Sequence, residues 1–114
     1  MSEWNDIPYV RHLRTAGGNK TPDQYEIHSY PYVVFKSYSS TIAVRNEDTG
    51  VTYLVEPYWN NYSATTNRYL LQFLNEDSIK DVREIAFSGG RLSGGRDKKY
   101  RIVKSVNEIG GIYE

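Results

Sequence analysis

The sequence predicts an α+β fold: a small, mainly antiparallel sheet of four to five strands with one clear helix packed on it. Three observations predict it. Short β-branched and aromatic runs recur between polar turns in the centre of the chain. One later segment carries apolar residues at helical spacing. No period of 20–50 residues is visible, which sets solenoids and propellers aside. At 114 residues the chain fits one domain. Residues 31–114 are expected to form it, with 1–30 as an irregular arm.

Taken in order, residues 1–30 show no clean period. Gly17-Gly18-Asn19 and Thr21-Pro22-Asp23 are turn chemistry, since Gly permits positive φ and Pro fixes φ. A short element near Tyr9–Leu13 is the most this region suggests. Tyr32-Val33-Val34-Phe35-Lys36 reads as a strand, Tyr38-Ser39-Ser40 breaks it, and Thr41-Ile42-Ala43-Val44-Arg45 reads as the next. Asn46-Glu47-Asp48-Thr49-Gly50 is a polar turn ending in Gly. Val51-Thr52-Tyr53-Leu54-Val55-Glu56 follows as a third strand, and so short a link implies an antiparallel hairpin. Pro57, which has no amide hydrogen, ends that ladder.

Tyr58-Trp59-Asn60-Asn61-Tyr62 reads as an aromatic, amide-rich loop. From Ser63 to Leu74 the chain reads as a helix, with Tyr69, Leu70, Phe73 and Leu74 on one face and Thr65 or Thr66 as N-cap. Residues 78–87 fit a helix capped by Ser78, through Ile79, Val82, Ile85 and Ala86. They also fit a strand through Val82, Ile85 and Phe87. The balance tips to a helical turn leading into a strand. Ser88-Gly89-Gly90 and Ser93-Gly94-Gly95 frame a loop, and Tyr100–Val106 reads as the final strand.

Composition narrows the function. The chain has no cysteine, which removes disulfides, thiolate nucleophiles and cysteine-ligated zinc. The first residues carry neither a basic start nor an apolar run, and no stretch approaches the ~18 apolar residues of a membrane span. A cytoplasmic protein without a membrane role is expected. Formal net charge is zero. Charge is nonetheless segregated: residues 21–86 hold nine acids and five bases, whereas 88–104 hold six bases against Asp97 alone.

No catalytic constellation stands out. His12 and His28, the two histidines, lie in the poorly specified arm, and no Gly-x-Ser-x-Gly elbow surrounds a serine. Neither His-x-x-x-His nor a calcium-loop pattern occurs, so no metal or other cofactor is expected. Asp77, Asp81 and Glu84 sit among Lys80 and Arg83, as on a solvated face of mixed charge. The glycines at 89–95 lack the Gly-Lys-Ser/Thr ending of a phosphate loop.

Two surfaces are the candidates for holding a partner. One is the aromatic group Tyr58, Trp59 and Tyr62, since Trp and Tyr are enriched at interface hot spots. The other is the cationic run with Arg91, Arg96, Lys98, Lys99 and Arg101. Its guanidinium forks suit phosphates or an acidic protein surface. Each feature also has an ordinary structural reading, as a core closure and a solvated hairpin tip respectively.

The segment Tyr38–Leu74 resembles a short domain found in bacteriophage and prophage proteins. The residues that carry the resemblance are Tyr38-Ser39-Ser40-Thr41-Ile42-Ala43, Tyr62-Ser63-Ala64-Thr65-Thr66-Asn67-Arg68 and Phe73-Leu74. Tyr69 stands where related sequences often have His. The resemblance implies a small accessory protein of a phage or mobile element, acting in the host cytoplasm; as to assembly, a monomer or a homodimer fits, the latter through exposed Tyr-rich strands. It implies protein–protein contact with a host or defence protein, such as inhibition of a CRISPR effector nuclease in the anti-CRISPR manner. The alternative reading is a nucleic-acid-binding accessory protein using the basic loop on phosphates and the aromatic group on bases.

Overall fold

The computed structural model of the chain describes residues 8–60, 63–87 and 99–109. The chain folds as β1 (Tyr9–Arg14), β2 (Lys20–Ser29), β3 (Tyr32–Ser37), β4 (Ser40–Asn46), β5 (Val51–Val55), α1 (Glu56–Trp59), α2 (Ala64–Leu74), α3 (Ile79–Phe87) and β6 (Lys99–Val103). A 3-10 turn, Val106–Glu108, follows. The class is α+β, as expected. The sheet is larger, with six described strands in the order β1-β2-β3-β4-β5-β6. β1 to β5 run antiparallel, and β6 joins the edge parallel to β5. The one clear helix becomes three, two of them longer than two turns.

β3, β4 and β5 sit where the sequence puts them, and their burial explains why. Both faces of this central region are covered, so each strand is apolar on both sides. On the helix side Val33, Phe35, Ile42, Ala43 and Leu54 pack with Leu13 and Tyr100 under Trp59, Tyr69, Leu70, Phe73, Leu74, Val82 and Ile85. On the other side Val34, Val44, Val55 and Val103 meet Ile109, with Tyr32, Tyr53 and Val106 against them. Full burial of one such aliphatic or aromatic side chain stabilises by roughly 1.5–3 kcal/mol. This double burial is the main source of cohesion.

Within the described part of residues 1–30 the irregular arm gives way to order: β1 and β2 are registered strands from Tyr9↔His28 to His12↔Tyr25. Their pattern is hidden because the helix-side face of β2 carries Gln24, Glu26 and His28. All three are polar, yet Gln24 and Glu26 are buried. A period-2 apolar signal cannot arise from such a strand.

The other boundaries follow local chemistry. Asn46 Oδ1 accepts from the Asp48 and Thr49 amides, and Gly50 supplies φ 75°, which closes the β4–β5 turn. Pro57 lies in the first turn of α1, where a missing amide hydrogen is harmless. The cap of α2 is Ser63 rather than Thr65 or Thr66: its Oγ accepts from the Thr66 amide at 3.0 Å. Asn75, at φ 56°, closes the helix in the left-handed conformation. Residues 79–87 resolve as helix throughout, and Ser78 Oγ accepts from the Asp81 amide. The last strand is shorter than Tyr100–Val106, because Val106 already belongs to the 3-10 turn capped by Ser105.

Candidate partner-binding surfaces

The aromatic group expected to bind is divided by the fold. Trp59 is 1% exposed and closes one end of the helix-side core. Tyr58 is half-buried and touches both cores. Tyr62 lies outside the described residues. Among the described residues the exposed aromatic at this corner is Phe87, the last residue of α3, 66% exposed with its ring centroid 5.9 Å from that of Trp59. Arg83 Nε donates to Asn60 Oδ1 at 2.8 Å, which ties α3 to the residue following α1. An apolar ring thus stands in solvent on a base braced by a buried tryptophan and a cross-helix hydrogen bond.

Composition and local pattern do not single out Phe87 as a surface residue, although its place on α3 does. The buried stripe of α3 is Val82 and Ile85, with Ile79 and Ala86 beside it. Phe87 is off that stripe, and a large apolar residue off the buried stripe of an amphipathic helix is one to examine for a partner.

Of the cationic run, Arg91, Arg96 and Lys98 lie outside the described residues, as does the Lys99 side chain. Arg101 is exposed on β6, paired in register with half-buried Tyr53 on β5.

Within the Tyr-Ser-x-Thr-Thr-x-Arg segment, Ser63 and Thr66 have structural roles. Ser63 caps α2. Thr66, 1% exposed, shares a 3.0 Å hydroxyl–hydroxyl hydrogen bond with buried Ser37 and so docks the helix on β3. Thr65 and Arg68 are exposed.

His12 Nδ1 lies 2.9 Å from the Thr21 carbonyl and holds the β1–β2 hairpin. His28 Nε2 lies 2.8 Å from buried Glu26, and Tyr9 stacks on the imidazole at 4.5 Å and 7°. This is a carboxylate-oriented histidine, but among the described residues no hydroxyl hydrogen-bonds to it as a nucleophile would. Asp77 and Glu84 are exposed and Asp81 half-buried. Glu76, by contrast, is buried and accepts from the Tyr100 hydroxyl at 3.0 Å, which fastens the α2–α3 link to β6. Among the described residues no group of three or more His, Asp or Glu could hold a metal ion. None of the described helices is long and apolar enough to cross a membrane.

Comparison with known proteins defines a class first: this α+β chain belongs to a family of unknown function, DUF8033, whose profile matches residues 9–89. That match takes in β1 to α3 and stops before the cationic run and β6. No curated protein and no solved structure matches it.

Proposed function

We propose that the protein is a non-enzymatic binding module that holds a partner protein at the α1–α3 corner, with Phe87 as the anchor. The observation that carries this reading is the 66% exposure of the Phe87 ring on a rigid base. Large aromatic anchors on pre-ordered surfaces dominate interface energetics. The cationic run that follows Phe87 in the chain supplies charge for an acidic rim on the partner. A phage accessory role, with a host defence nuclease as the partner in the anti-CRISPR manner, belongs to the same proposal and rests on the sequence pattern.

The test is capture from a host lysate, identification of the protein retained, and titration with that protein once purified. Phe87→Ala is expected to weaken the measured affinity at least tenfold, while Tyr30→Ala, at a surface turn far along the sequence, leaves it unchanged. Equal affinity for both variants would remove the corner as the contact.

One observation favours nucleic acid as a second reading: exposed Arg101 is in register with half-buried Tyr53 on the sheet face opposite the helices. Such a pair can take a phosphate and a stacked base. Anisotropy titration of a single-stranded oligonucleotide at two salt concentrations separates the readings, since phosphate-driven affinity falls steeply with salt.

A further inference from the structure

β1 is an edge strand, and among the described residues no strand pairs with its outer side. β1 ends the sheet on one side, whereas α3 packs towards β6 at the other. Unpaired edges are usually blunted by charged side chains, proline or a covering element. β1, Tyr-Val-Arg-His-Leu-Arg, has no proline, and its charges, Arg11 and Arg14, are of one sign, so they repel a second basic strand and attract an acidic one. Tyr9 and Val10, on opposite faces of the strand, are each 55% exposed.

What this edge can hold is shown at its C-terminal end. The Arg14 amide donates to Gln72 Oε1 at 3.3 Å, and Gln72 Nε2 donates to the Arg14 carbonyl at 3.0 Å. The Gln72 carboxamide therefore makes the two-bond exchange that a residue of a neighbouring antiparallel strand would make. Arg14 thus turns its peptide groups away from β2. Leu13 turns its carbonyl the other way, accepting from the Thr21 hydroxyl on β2 at 2.8 Å. Alternation along an extended strand then directs the peptide groups of His12 and Val10 outward with those of Arg14.

The side chains at this edge specify charge. Arg11, Arg14 and Lys20, opposite Arg14, are exposed, and none has a carboxylate partner among the described residues. The Arg14 guanidinium bonds a neutral carbonyl, that of Gly18. A second copy of β1 would set cation against cation, because the strand holds two arginines, one histidine and no acid. We propose that β1 takes an extended acidic peptide segment as an added antiparallel strand. Its backbone pairs with Val10 and His12, its carboxylates face Arg11 on one side of the strand, and its apolar side chains lie on Val10 on the other.

The probe is a synthetic eight-residue peptide alternating Glu with Val, compared with its Lys-for-Glu counterpart, titrated into the full chain and followed by amide NMR. The acidic peptide is expected to bind at least tenfold more tightly, with the largest amide shifts at Val10 and His12. Val10→Pro removes an outward amide hydrogen and is expected to abolish binding with the β2–β5 amides unperturbed, since an edge strand tolerates proline on its solvent side. Should Val10→Pro unfold the protein, Arg11→Glu with Arg14→Glu leaves the backbone intact and is expected to reverse the preference towards the Lys peptide. Equal affinity for the two peptides overturns the proposal. So do shifts confined to other strands, or dimerisation through β1 in sedimentation that excludes the peptide. The Phe87 titration is unaffected by any of these results.

Discussion

At the scale of single residues, the buried polar groups decide the most. Thr66 and Ser37 satisfy each other between α2 and β3. Thr66→Val keeps the shape but leaves the Ser37 hydroxyl buried without a partner, a loss of about 1–3 kcal/mol. Chemical denaturation measures it, and adding Ser37→Ala is expected to restore part of the loss. Gln24 is the opposite case. It is 2% exposed, and among the described residues neither Oε1 nor Nε2 has a hydrogen-bond partner. Gln24→Met, of similar volume, is therefore expected to raise stability by about 1 kcal/mol. A fall in the denaturation midpoint would show that the amide is satisfied in solution. Tyr38, exposed in the β3–β4 turn at φ 56°, holds a conformation that L residues adopt at a cost of about 1–2 kcal/mol. Part of that is recovered by Tyr38→Gly, with a net gain up to about 1 kcal/mol once the entropy of glycine is subtracted.

At the scale of elements, legibility followed the chemistry of the buried face. β3, β4 and β5 were readable because Val33–Phe35, Ile42–Val44 and Leu54–Val55 are apolar on both sides of the sheet. β1 and β2 were not, since the helix side of β2 buries Gln24 and Glu26, and a window of such residues looks like a loop. α2 was readable from Tyr69, Leu70, Phe73 and Leu74, but not its cap: Ser63, Thr65 and Thr66 are all eligible, and tertiary contact with Ser37 places Thr66 inside. For the site, residue type alone pointed to Trp59. Only packing shows that Trp59 is the support and Phe87 the exposed ring. Trp59→Ala is expected to cost about 3–5 kcal/mol by leaving a cavity under α1, whereas Phe87→Ala, at an exposed position, is expected to change stability by less than about 0.5 kcal/mol. Thermal or urea melts of the two variants distinguish support from contact.

At the scale of the whole molecule, the sheet has a well-buried middle and two unlike edges. β6 pairs parallel to β5, so the chain between them must cross back, and α1, α2 and α3 lie in that crossover. The parallel pairing was not legible, because strand direction leaves no local mark on a five-residue run. Phe35, Ile42, Ala43, Val44 and Leu54 are fully buried in β3–β5. Amide hydrogen exchange is therefore expected to be slowest there and fastest along β1, whose outer side has no strand among the described residues. Uniform protection across all six strands would mean that β1 is covered in solution.

The proposed binding role stands or falls on Phe87. The decisive measurement is the dissociation constant of the captured partner for wild-type protein and for Phe87→Ala, taken alongside the melting curve of each. A loss of at least tenfold in affinity with an unchanged melting curve is the expected result. Unchanged affinity in a folded Phe87→Ala protein would contradict it.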